Sequence, residues 1–405
     1  MTLFFALLLL FPIQTNGDIA KEPKFYSDDP VWTDHDNLDT PVSPVRIELS
    51  DFFDRFSHIF HDFGSRVWGE AENINTLDEV PDSSWFTNRH GKKKMSLKEL
   101  VRGSGRGSIP DPRNIYTIFR SKDQGLTLGF HTKDENGNRY MIKFGSLVST
   151  ASEIIATKIL HAVGYNVPEN HILYLNLNNL QISPGTMFTD KFGDKHMLTL
   201  KEVRHQLRKL PRRSDGSLRV IASKYIPGTL LGPFRYFGAR SDDPNDIIDH
   251  EQRRELRGLR LIAAWINHDD SRAQNTQDTW VEKNGEHYVR HFLLDFGSCL
   301  GSGSVGSQLP HLGFHHWMNG PLMLKNALSF GFYVPLYRKV KWPNYPNYTA
   351  VGRFESRWFD PDQWRNEYPI PAFLRMTERD AFWAAKILMR FTEEELREIV
   401  KVGQI

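Results

Sequence analysis

Cysteine is almost missing from this sequence, which has Cys299 alone among 405 residues. An intrachain disulfide and a cysteine-based zinc site are therefore excluded. A strong net charge is missing too, because 51 Lys and Arg residues nearly balance 49 Asp and Glu residues. The formal net charge of +2 creates no overall field that would demand nucleic acid or an anionic membrane, and we expect no nucleic-acid binding.

Long apolar runs are also missing, except at the N-terminus. Leu3 to Pro12 form an apolar run of about ten residues, which is too short to span a bilayer. The run predicts a signal peptide over residues 1–17, and hence a periplasmic or extracellular protein without a transmembrane span in the mature chain. No Lys or Arg precedes it and no Ala-x-Ala pattern follows it, so a segment packed on a cytoplasmic protein stays open as the alternative.

The remaining composition is that of a globular protein. Apolar residues make up 40% of the chain and charged residues 25%, which argues against disorder. A chain of 405 residues is longer than one ordinary core usually holds. We therefore expect one large two-lobed domain or two domains.

Residues 18–113 are predicted to be an N-terminal extension with one amphipathic helix. Apolar residues recur at helical spacing in "LSDFFDRFSHIFHDFG", in which Ser50 is a candidate cap. The aromatic face of this helix is expected to dock on the main body of the protein. The basic, glycine-rich stretch at residues 89–113 is predicted to be a linker or an exposed loop.

Residues 114–228 have the pattern of a β-rich lobe. Strands are predicted at "IYTIFRS", "LGFHTK" and "RYMIKFG", with a tight turn at "DENGN". "LVSTASEIIATKILHAVGY" predicts a helix capped by Ser149 or Thr150, and "HILYLNL" and "LRVIASKYI" predict two more strands. The Lys- and Arg-rich segment at 201–213 is interpreted as a solvated helix face.

Residues 229–405 predict a mostly helical lobe. "YVRHFLLDFG" is predicted to be a strand that pairs with "DTWVE" across the turn "KNGE". Two helices, "ERDAFWAAKILMRF" and "TEEELREIVKVG", are predicted near the C-terminus. A further helix in "DHEQRRELRGLRLIAAWIN" is predicted to present one buried face formed by Leu256, Leu259, Ile262, Ala263 and Ile266.

Three polar residues in the second half are arranged as a magnesium–nucleotide site requires. Asp270 and Asn275 lie five residues apart in "HDDSRAQN", and Asp295 ends the run "FLLD". An aspartate can orient or deprotonate an attacking hydroxyl, whereas an asparagine and a second aspartate can hold a metal ion. A strand end would point the Asp295 carboxylate into a cleft. The structural alternative for Asp270 is a loop cap.

Lys143 and Glu153 in the first half complete this set. Lys143 ends "RYMIK" and is a candidate partner of phosphate oxygens, with Glu153 on the next helix to hold it in position. Structural alternatives stay open for both. Lys143 fits a surface lysine at a strand end, and Glu153 fits an acid favoured by the dipole at a helix N-terminus.

In this order the motifs resemble those of the protein-kinase-like superfamily over roughly residues 114–300. "HDDSRAQN" is similar to the catalytic loop His-Arg-Asp-x-x-x-x-Asn, "DFG" to the metal motif and "YMIK" to the Val-Ala-Ile-Lys strand. The resemblance implies an α+β, two-lobed protein-kinase-like fold with a β-rich N-lobe and a helical C-lobe. It also implies Asp270 as the catalytic base, Asn275 and Asp295 as Mg²⁺ ligands, and Lys143 and Glu153 as the pair that binds the phosphates of ATP.

Several departures resemble atypical branches of that superfamily. The nucleotide-covering loop "SKDQGLTLG" offers Gly125 for cofactor binding but lacks the Gly-x-Gly-x-x-Gly pattern. Asp269 stands where the family has arginine, and no Ala-Pro-Glu follows "DFG". These traits are similar to HipA-like, lipid-kinase-like and secretory-pathway kinases. The acceptor class, whether protein, lipid or small molecule, stays open.

Three other patterns are interpreted as structural. "GSGSVG" matches Gly-x-Gly-x-x-Gly, but the sequence after it supplies neither the helix nor the acidic residue that a dinucleotide-binding fold needs. The histidines of "PHLGFHHW" lie beside a proline and a glycine, which disfavour a zinc-binding helix. Cys299 is predicted to be a small buried residue rather than a nucleophile.

The sequence thus predicts a phosphotransferase that depends on ATP and Mg²⁺ and has an unknown acceptor. The alternative is an exported, catalytically inactive pseudokinase-like protein with a binding or envelope role. The signal-like N-terminus favours the alternative, because ATP is scarce outside the bacterial cytoplasm. The complete set of Asp270, Asn275 and Asp295 favours the enzyme, because an inactive relative has no chemical need for all three.

Overall fold

The computed structural model describes residues 43–61, 69–105, 109–122, 128–189, 194–303, 306–317, 319–341 and 360–404. The predicted signal peptide at 1–17 and the candidate residue Gly125 lie outside these ranges. Across the described ranges the fold is mixed α+β, with a β-rich N-lobe followed by a helical C-lobe, which confirms the predicted fold class. Among the described residues, no helix has both the length and the hydropathy to cross a bilayer.

The secondary structure follows the predicted order of elements. The strands are β1 (Tyr116–Ser121), β2 (Gly129–Lys133), β3 (Arg139–Lys143), β4 (Asn170–Leu175), β5 (Leu180–Ile182), β6 (Met187–Thr189), β7 (Lys195–Met197), β8 (Leu218–Lys224), β9 (Thr229–Gly232), β10 (Thr276–Lys283) and β11 (Glu286–Leu293). The helices are α1 (Asp51–His61), α2 (Leu97–Arg102), α3 (Leu147–Val163), α4 (Leu200–Leu207), α5 (Arg254–Trp265), α6 (Gly320–Leu328), α7 (Leu336–Lys339), α8 (Pro371–Leu374), α9 (Glu378–Leu388) and α10 (Glu393–Val402).

The N-lobe is built on a six-stranded sheet with the order β4-β8-β3-β2-β1-β5. Its pairs are antiparallel except for β1 and β5, which run parallel. β3 lies between β2 and β8. Because successive side chains of a strand point to opposite faces, Tyr140 and Ile142 both lie in the core of this lobe. The sheet therefore fixes the end of β3, where Lys143 faces Gly129 of β2 in the pairing register.

Helix α3 connects the sheet to the helical lobe and is buried along almost its whole length. It packs against β4 and β8 on one side and against α10 on the other. The predicted cap at Ser149 or Thr150 is wrong, because the helix begins one turn earlier. The side chain of Ser146 accepts a hydrogen bond from the backbone N–H of Ser149 at 3.1 Å, and Thr150 Oγ1 donates to the Ser146 carbonyl at 3.0 Å.

The hairpin of β10 and β11 carries the chain back to the lobe junction. Lys283 pairs with Glu286, so the turn is the two-residue Asn284-Gly285, with φ values of 58° and 85°. Two positive φ angles are typical of a type I′ turn, which matches the twist of the flanking strands. The predicted pairing is confirmed, and Asp295 follows two residues after β11 ends at Leu293.

The core of the C-lobe is formed around α5 and α9. The five apolar residues predicted to line one face of α5 are all buried. Arg254, Glu255 and Arg257 on its other faces are buried as well, which the periodicity did not predict. Arg254 Nε donates to Asp380 Oδ1 at 3.0 Å, Arg254 Nη1 donates to Asp78 Oδ1 at 2.7 Å, and Arg257 lies 3.5 Å from Asp380. Ion pairs of buried arginines thus fix α5 against Asp380 of α9 and against Asp78 of the N-terminal extension.

The N-terminal extension contributes to the same core. Trp85, Phe86 and Leu100 are buried among the apolar side chains of the C-lobe. The ring of Phe86 lies 5.3 Å from that of Trp383 on α9. Leu100 lies on α2 within residues 89–113, so the prediction of a linker or exposed loop is wrong for this helix.

Helix α1 exists where the sequence predicts it, but Phe52 and Phe53 of its aromatic face do not dock on the main body. Phe52 and Phe53 are 71% and 73% exposed. The opposite, polar face is the buried one: Tyr368 Oη donates to Asp54 Oδ2 at 3.2 Å, and the ring of His58 stacks on Tyr368 at 5.4 Å. For these two phenylalanines the prediction is wrong, because periodicity does not report the hydrogen bonds that turn Asp54 and His58 inward.

Candidate active site

Lys143, Glu153 and Asp295 meet at the junction of the two lobes. The ammonium of Lys143 donates to Glu153 Oε1 at 3.4 Å and to Asp295 Oδ1 at 3.1 Å. The three residues come from the end of β3, from α3 and from the segment after β11. The structure therefore brings together residues that are up to 152 positions apart in sequence.

A second set of hydrogen bonds fixes Glu153 from behind. Asn170 Nδ2 at the start of β4 donates to Glu153 Oε1 at 3.0 Å and to Thr157 Oγ1 at 3.0 Å. Thr157 is one turn further along α3 and donates its hydroxyl to the Glu153 carbonyl at 2.6 Å. Glu153 is thus a positioned partner of Lys143, whereas an acid that only stabilised a helix end would not need these contacts.

Burial and contacts with one another shift the pKa values of Lys143, Glu153 and Asp295. Burial works to lower the pKa of Lys143, but the carboxylates of Asp295 and Glu153 outweigh it and raise that pKa. Burial works to raise the pKa of Asp295, but Lys143 and Lys122 bring it down to about 2. Burial raises the pKa of Glu153 against the opposing effect of Lys143. At neutral pH the cleft therefore presents an ammonium beside an ionised Asp295 carboxylate.

Asp270 and Asn275 lie in one hydrogen-bonded loop. Asn275 Nδ2 donates to the Asp270 carbonyl at 2.7 Å and to Asp270 Oδ2 at 2.9 Å, while Arg272 Nε lies 2.8 Å from Asp270 Oδ1. Both carboxylate oxygens of Asp270 are held in this way. The loop is joined to the Asp295 segment because the N–H of Leu294 donates to the Asn275 carbonyl at 2.8 Å.

The ionisation of Asp270 is shifted into the neutral range. Burial raises the pKa of Asp270 to about 7, and the nearby carboxylates of Glu367 and Asp295 act in the same direction. Arg272 opposes the shift, as does the hydrogen bond from Asn275. A carboxylate whose pKa lies near 7 is matched to accepting and releasing a proton at neutral pH.

The residues before Asp270 anchor the loop in the core. Asp269, the residue before Asp270, is buried and accepts a hydrogen bond from Gln308 Nε2. Burial raises the pKa of Asp269 well above its usual value. His268 is buried against Phe296, with ring centroids 5.6 Å apart, and its Nδ1 lies 2.9 Å from Ser271 Oγ. These contacts hold Asp269 and His268 in the core, whereas the Asp270 side chain is 22% exposed.

The "DFG" segment is locked to α3. Asp295 has a φ of 59°, an uncommon conformation for a residue other than glycine. Ser152 Oγ donates to the carbonyls of Phe296 and Cys299 at 3.0 and 2.7 Å. A Cβ on Gly297 would lie only 2.9 Å from Ser149 Oγ, so any larger residue would make the Ser149 side chain or the backbone move. Cys299 is buried, as predicted.

Sequence reasoning missed three charged residues of the site. Lys122, at the end of β1, lies against Gly129, where an added Cβ would be 3.2 Å from Lys122 Cδ. Burial lowers the pKa of Lys122, and the charges of Asp295 and Lys143 act on it in opposite directions. Arg272 contacts Asp270 directly, and Glu367 contacts Arg272 at 3.7 Å. For Lys122 the sequence offered one signal, a lysine directly after a predicted strand. Nothing in the sequence around Glu367 indicates that it belongs to the site.

The oxygen ligands present fit a magnesium ion. Asn275 Oδ1 and Asp295 Oδ2 accept no hydrogen bond from any described residue. Amide and carboxylate oxygens are the donors that Mg²⁺ prefers, and it usually takes one or two of them together with phosphates and water. Within the described ranges, no group of three or more His, Cys, Asp and Glu side chains is arranged to hold a metal by itself.

A separate cavity of about 750 Å³ opens away from this cluster. It is lined by the 82–89 and 102–105 segments of the extension and by the tip of the β10–β11 hairpin. None of the predicted site residues lines it. The candidate active site is therefore defined by its converging charged groups and not by this cavity.

Comparisons with known proteins find only remote similarity. No protein-family model matches the chain, and no curated protein matches it. Two crystal structures of the Golgi casein kinase, one with Mn/ADP bound, align with TM-scores of 0.28 and 0.27 at 12% identity, covering 74% of this chain and 76% of that chain. An alpha kinase from Entamoeba histolytica aligns with a TM-score of 0.17 at 13% identity, covering 51% of this chain and 74% of that one. At these TM-scores the likeness does not transfer function.

Proposed function

We propose that this chain is a phosphotransferase that binds ATP with Mg²⁺ between its lobes and transfers the γ-phosphoryl group to an acceptor hydroxyl. The observation that carries the proposal is the position of Lys143, held 3.4 Å from Glu153 and 3.1 Å from Asp295. A surface lysine at a strand end, the structural alternative, has no reason to lie between two carboxylates from separate elements. Phosphoryl transfer requires such a fixed ammonium beside a metal-binding carboxylate.

The phosphates are bound by positive charge on the N-lobe. Lys143 contacts phosphate oxygens and is kept in place by Glu153, which Asn170 holds from behind. Lys122 adds a second ammonium that approaches the same carboxylates from the end of β1. In the C-lobe, Asn275 and Asp295 hold the Mg²⁺ ion, which when bound neutralises charge on the phosphate oxygens.

Asp270 acts on the acceptor. Its carboxylate accepts the proton of the acceptor hydroxyl while the acceptor oxygen forms a bond to the γ-phosphorus. The bond from that phosphorus to the bridging oxygen of ADP breaks at the same time, and ADP leaves. Arg272 and Asn275 fix the orientation of the carboxylate through the contacts described above. Catalysis then rests on positioning and charge neutralisation.

We also propose that the two lobes divide near residues 228 and 229. β8, which ends at Lys224, belongs to the six-stranded sheet of the N-lobe. β9, which begins at Thr229, instead joins β10 and β11 in a three-stranded sheet. The segment between β8 and β9 is therefore the connection that borders the nucleotide in this proposal. Residues 18–113 form the N-terminal extension.

Thermal unfolding with and without ATP and Mg²⁺ tests the proposed function. Ligand at 100 times its Kd is expected to stabilise the folded state by about 2.7 kcal/mol, seen as a rise in Tm. The rise should need Mg²⁺, should be lost in Asp295→Ala and should persist in Glu135→Ala, which removes an exposed carboxylate from the β2–β3 turn. No rise at millimolar ATP and Mg²⁺ would overturn the proposal in favour of the inactive alternative.

A further inference from the structure

An apolar surface is exposed to solvent downstream of the candidate active site. We call it the α6–α7 surface and define it as Trp317 and residues 319–341. Neither α6 nor α7 has a buried side chain, although α6 reads "GPLMLKNAL" and is mostly apolar. The exposed fractions are 91% for Phe330, 86% for Phe332, 72% for Leu328, 66% for Trp317, 62% for Met323 and 59% for Leu324. Large exposed apolar patches on a protein surface mark interaction sites, so this segment is a candidate for one.

The charge of this surface has one sign. The sequence contains no Asp or Glu between Asp295 and Glu355. Over the same stretch the α6–α7 surface carries Lys325, Arg338, Lys339 and Lys341. Within the described residues, none of these four side chains forms an ion pair. The surface is thus apolar and basic, although the whole chain has a net charge of only +2.

The α6–α7 surface begins beside the catalytic loop. The N–H of Trp317 donates to the Glu367 carbonyl at 2.6 Å, and the N–H of Glu367 donates to the Asp269 carbonyl at 2.9 Å. Helix α1, with its exposed phenylalanines, is tied to the same residue, because Arg55 Nη1 donates to Glu367 Oε1 at 2.8 Å. Two exposed apolar elements are therefore attached to the segment that supports the loop of Asp270.

The residue types of the α6–α7 surface indicate whether it binds a lipid bilayer or another protein. Phe, Leu and Trp next to Lys and Arg on a short amphipathic segment are typical of a surface that lies in the headgroup region of an anionic bilayer. A second copy of the chain, meeting this surface face to face, would bring like charges together. The centres of protein interfaces are also depleted in lysine. The charge pattern therefore favours lipid.

We propose that the α6–α7 surface docks this protein on an anionic lipid bilayer, with the phenylalanines entering the headgroup region and the cations contacting lipid phosphates. Docking goes beyond phosphoryl transfer and does not need it, because the binding requires neither nucleotide nor an active site. The catalytic loop then lies close to the bilayer surface, since Glu367 links it to Trp317.

Cosedimentation of the full-length protein with vesicles tests the docking. The protein is expected to bind equimolar phosphatidylcholine–phosphatidylglycerol vesicles in low salt, and much less to pure phosphatidylcholine vesicles or in high salt. Phe330→Ser/Phe332→Ser and Arg338→Glu/Lys339→Glu should each lower the partition coefficient by about tenfold or more. Both changes are at exposed positions, so the Tm of each variant should stay near that of the wild type.

Matched variants elsewhere on the surface serve as controls. Arg208→Glu/Lys209→Glu reverses an exposed basic pair after α4, and Phe382→Ser removes a phenylalanine that is 65% exposed on α9. Both should bind vesicles as the wild type does. Arg208→Glu/Lys209→Glu changes the net charge as much as Arg338→Glu/Lys339→Glu does. If only the latter weakens vesicle binding, the effect belongs to the α6–α7 surface and not to net charge.

Three results would overturn the proposal. One is the failure of the wild type to bind phosphatidylglycerol vesicles. Another is binding that survives both α6–α7 variants. A third is a dimer in sedimentation equilibrium that Phe330→Ser/Phe332→Ser dissociates, which would identify a second copy as the occupant. Vesicle binding without a nucleotide-dependent Tm rise would leave the docking intact and reject the phosphotransferase, so the two proposals fail separately.

Discussion

At the residue scale, the two aspartates of the site differ in their environments. Asp295 contacts the ammonium of Lys143, which helps lower its pKa to about 2. Burial raises the pKa of Asp270 to about 7 although Arg272 is adjacent. Two carboxylates with separated pKa values serve separate purposes, since one stays ionised for a cation and the other can exchange a proton.

Replacing Asp270 by Asn should remove the base while preserving the loop. We expect the rate of ATP hydrolysis, with water as acceptor, to fall by about 10²–10⁴-fold. In the wild type, kcat/KM should rise about tenfold per pH unit below pH 7 and level off above it, because Asp270 must lose its proton to act. A wild-type profile that is flat from pH 5 to 8 would contradict the assignment.

Asp270→Asn should lower activity but raise stability at high pH. The folded pKa of Asp270 lies above its unfolded value, so its contribution to stability is present at low pH and is lost as pH rises toward 7. Asp270→Asn should therefore raise the Tm at pH 8 relative to the wild type and have little effect at pH 4. This pair of results would separate lost catalysis from lost folding.

Lys143→Met should destabilise the protein in a pH-dependent manner. Because the folded pKa of Asp295 is lowered from 3.8 to about 2, its pairing with Lys143 stabilises the fold above pH 4 and is lost as pH falls through 2. The Asp295 side chain is 42% exposed, so we expect a loss of about 1–2 kcal/mol at pH 7 that shrinks toward pH 3. Urea unfolding at both pH values measures it, with the exposed Lys133→Met as the unaffected control.

At the scale of elements, the site depends on how closely α3 approaches the "DFG" segment. A methyl group added at Gly297 would lie 2.9 Å from Ser149 Oγ, so the side chain or the backbone would have to move. Gly297→Ala should displace α3 or Asp295 and reduce ATP hydrolysis, because Glu153 and Asp295 both hold Lys143. Removing the obstructing oxygen in Gly297→Ala/Ser149→Ala should restore activity in part, with a coupling energy of about 0.5–3 kcal/mol.

A control variant distinguishes this steric effect from a general intolerance of alanine. Gly306 lies in the same stretch of chain, and no atom is within 4 Å of an added Cβ there. Gly306→Ala should retain wild-type activity and Tm. If Gly297→Ala is as active as the wild type, the close approach has no functional role.

The two faces of α1 should respond to substitution in the order opposite to that expected from hydrophobicity. Phe53→Ser replaces a side chain in solvent and should change the free energy of unfolding by less than about 0.5 kcal/mol. Asp54→Ala removes the acceptor of the Tyr368 hydroxyl in a buried contact and should cost about 1–3 kcal/mol. Equal effects of the two variants in urea unfolding would argue against this orientation of the helix.

Much of the element order was predictable because the signals are local. β1–β3, the β10–β11 hairpin and the C-terminal helices each have a periodic pattern bounded by turn residues. The short strands β5–β7 have too few residues to show a period. The cap of α3 was misplaced because Ser146, Ser149 and Thr150 all favour helix starts, and only the hydrogen bonds choose among them.

At the scale of the whole molecule, the candidate site was predictable where it follows ordered motifs and not where it depends on distant segments. Lys143, Glu153 and Asp295 converge as the motif order predicts. Glu367 joins the site from the far end of the chain, and Arg254 is buried by partners on both the extension and α9. These contacts join segments that are far apart in sequence. The local pattern of one segment does not indicate which other segment packs against it.

The burial of the N-terminal extension has a consequence for how the protein is made. His90 Nε2 lies 3.2 Å from the carbonyl of Arg390, a residue 300 positions later. At about 5–20 residues per second, a ribosome needs roughly 15–60 s to travel between them. During that time Phe86 has emerged but lacks its partner Trp383. The segment around Phe86 and His90 therefore completes its packing only late in synthesis, and until then part of its apolar surface is exposed to proteases and chaperones.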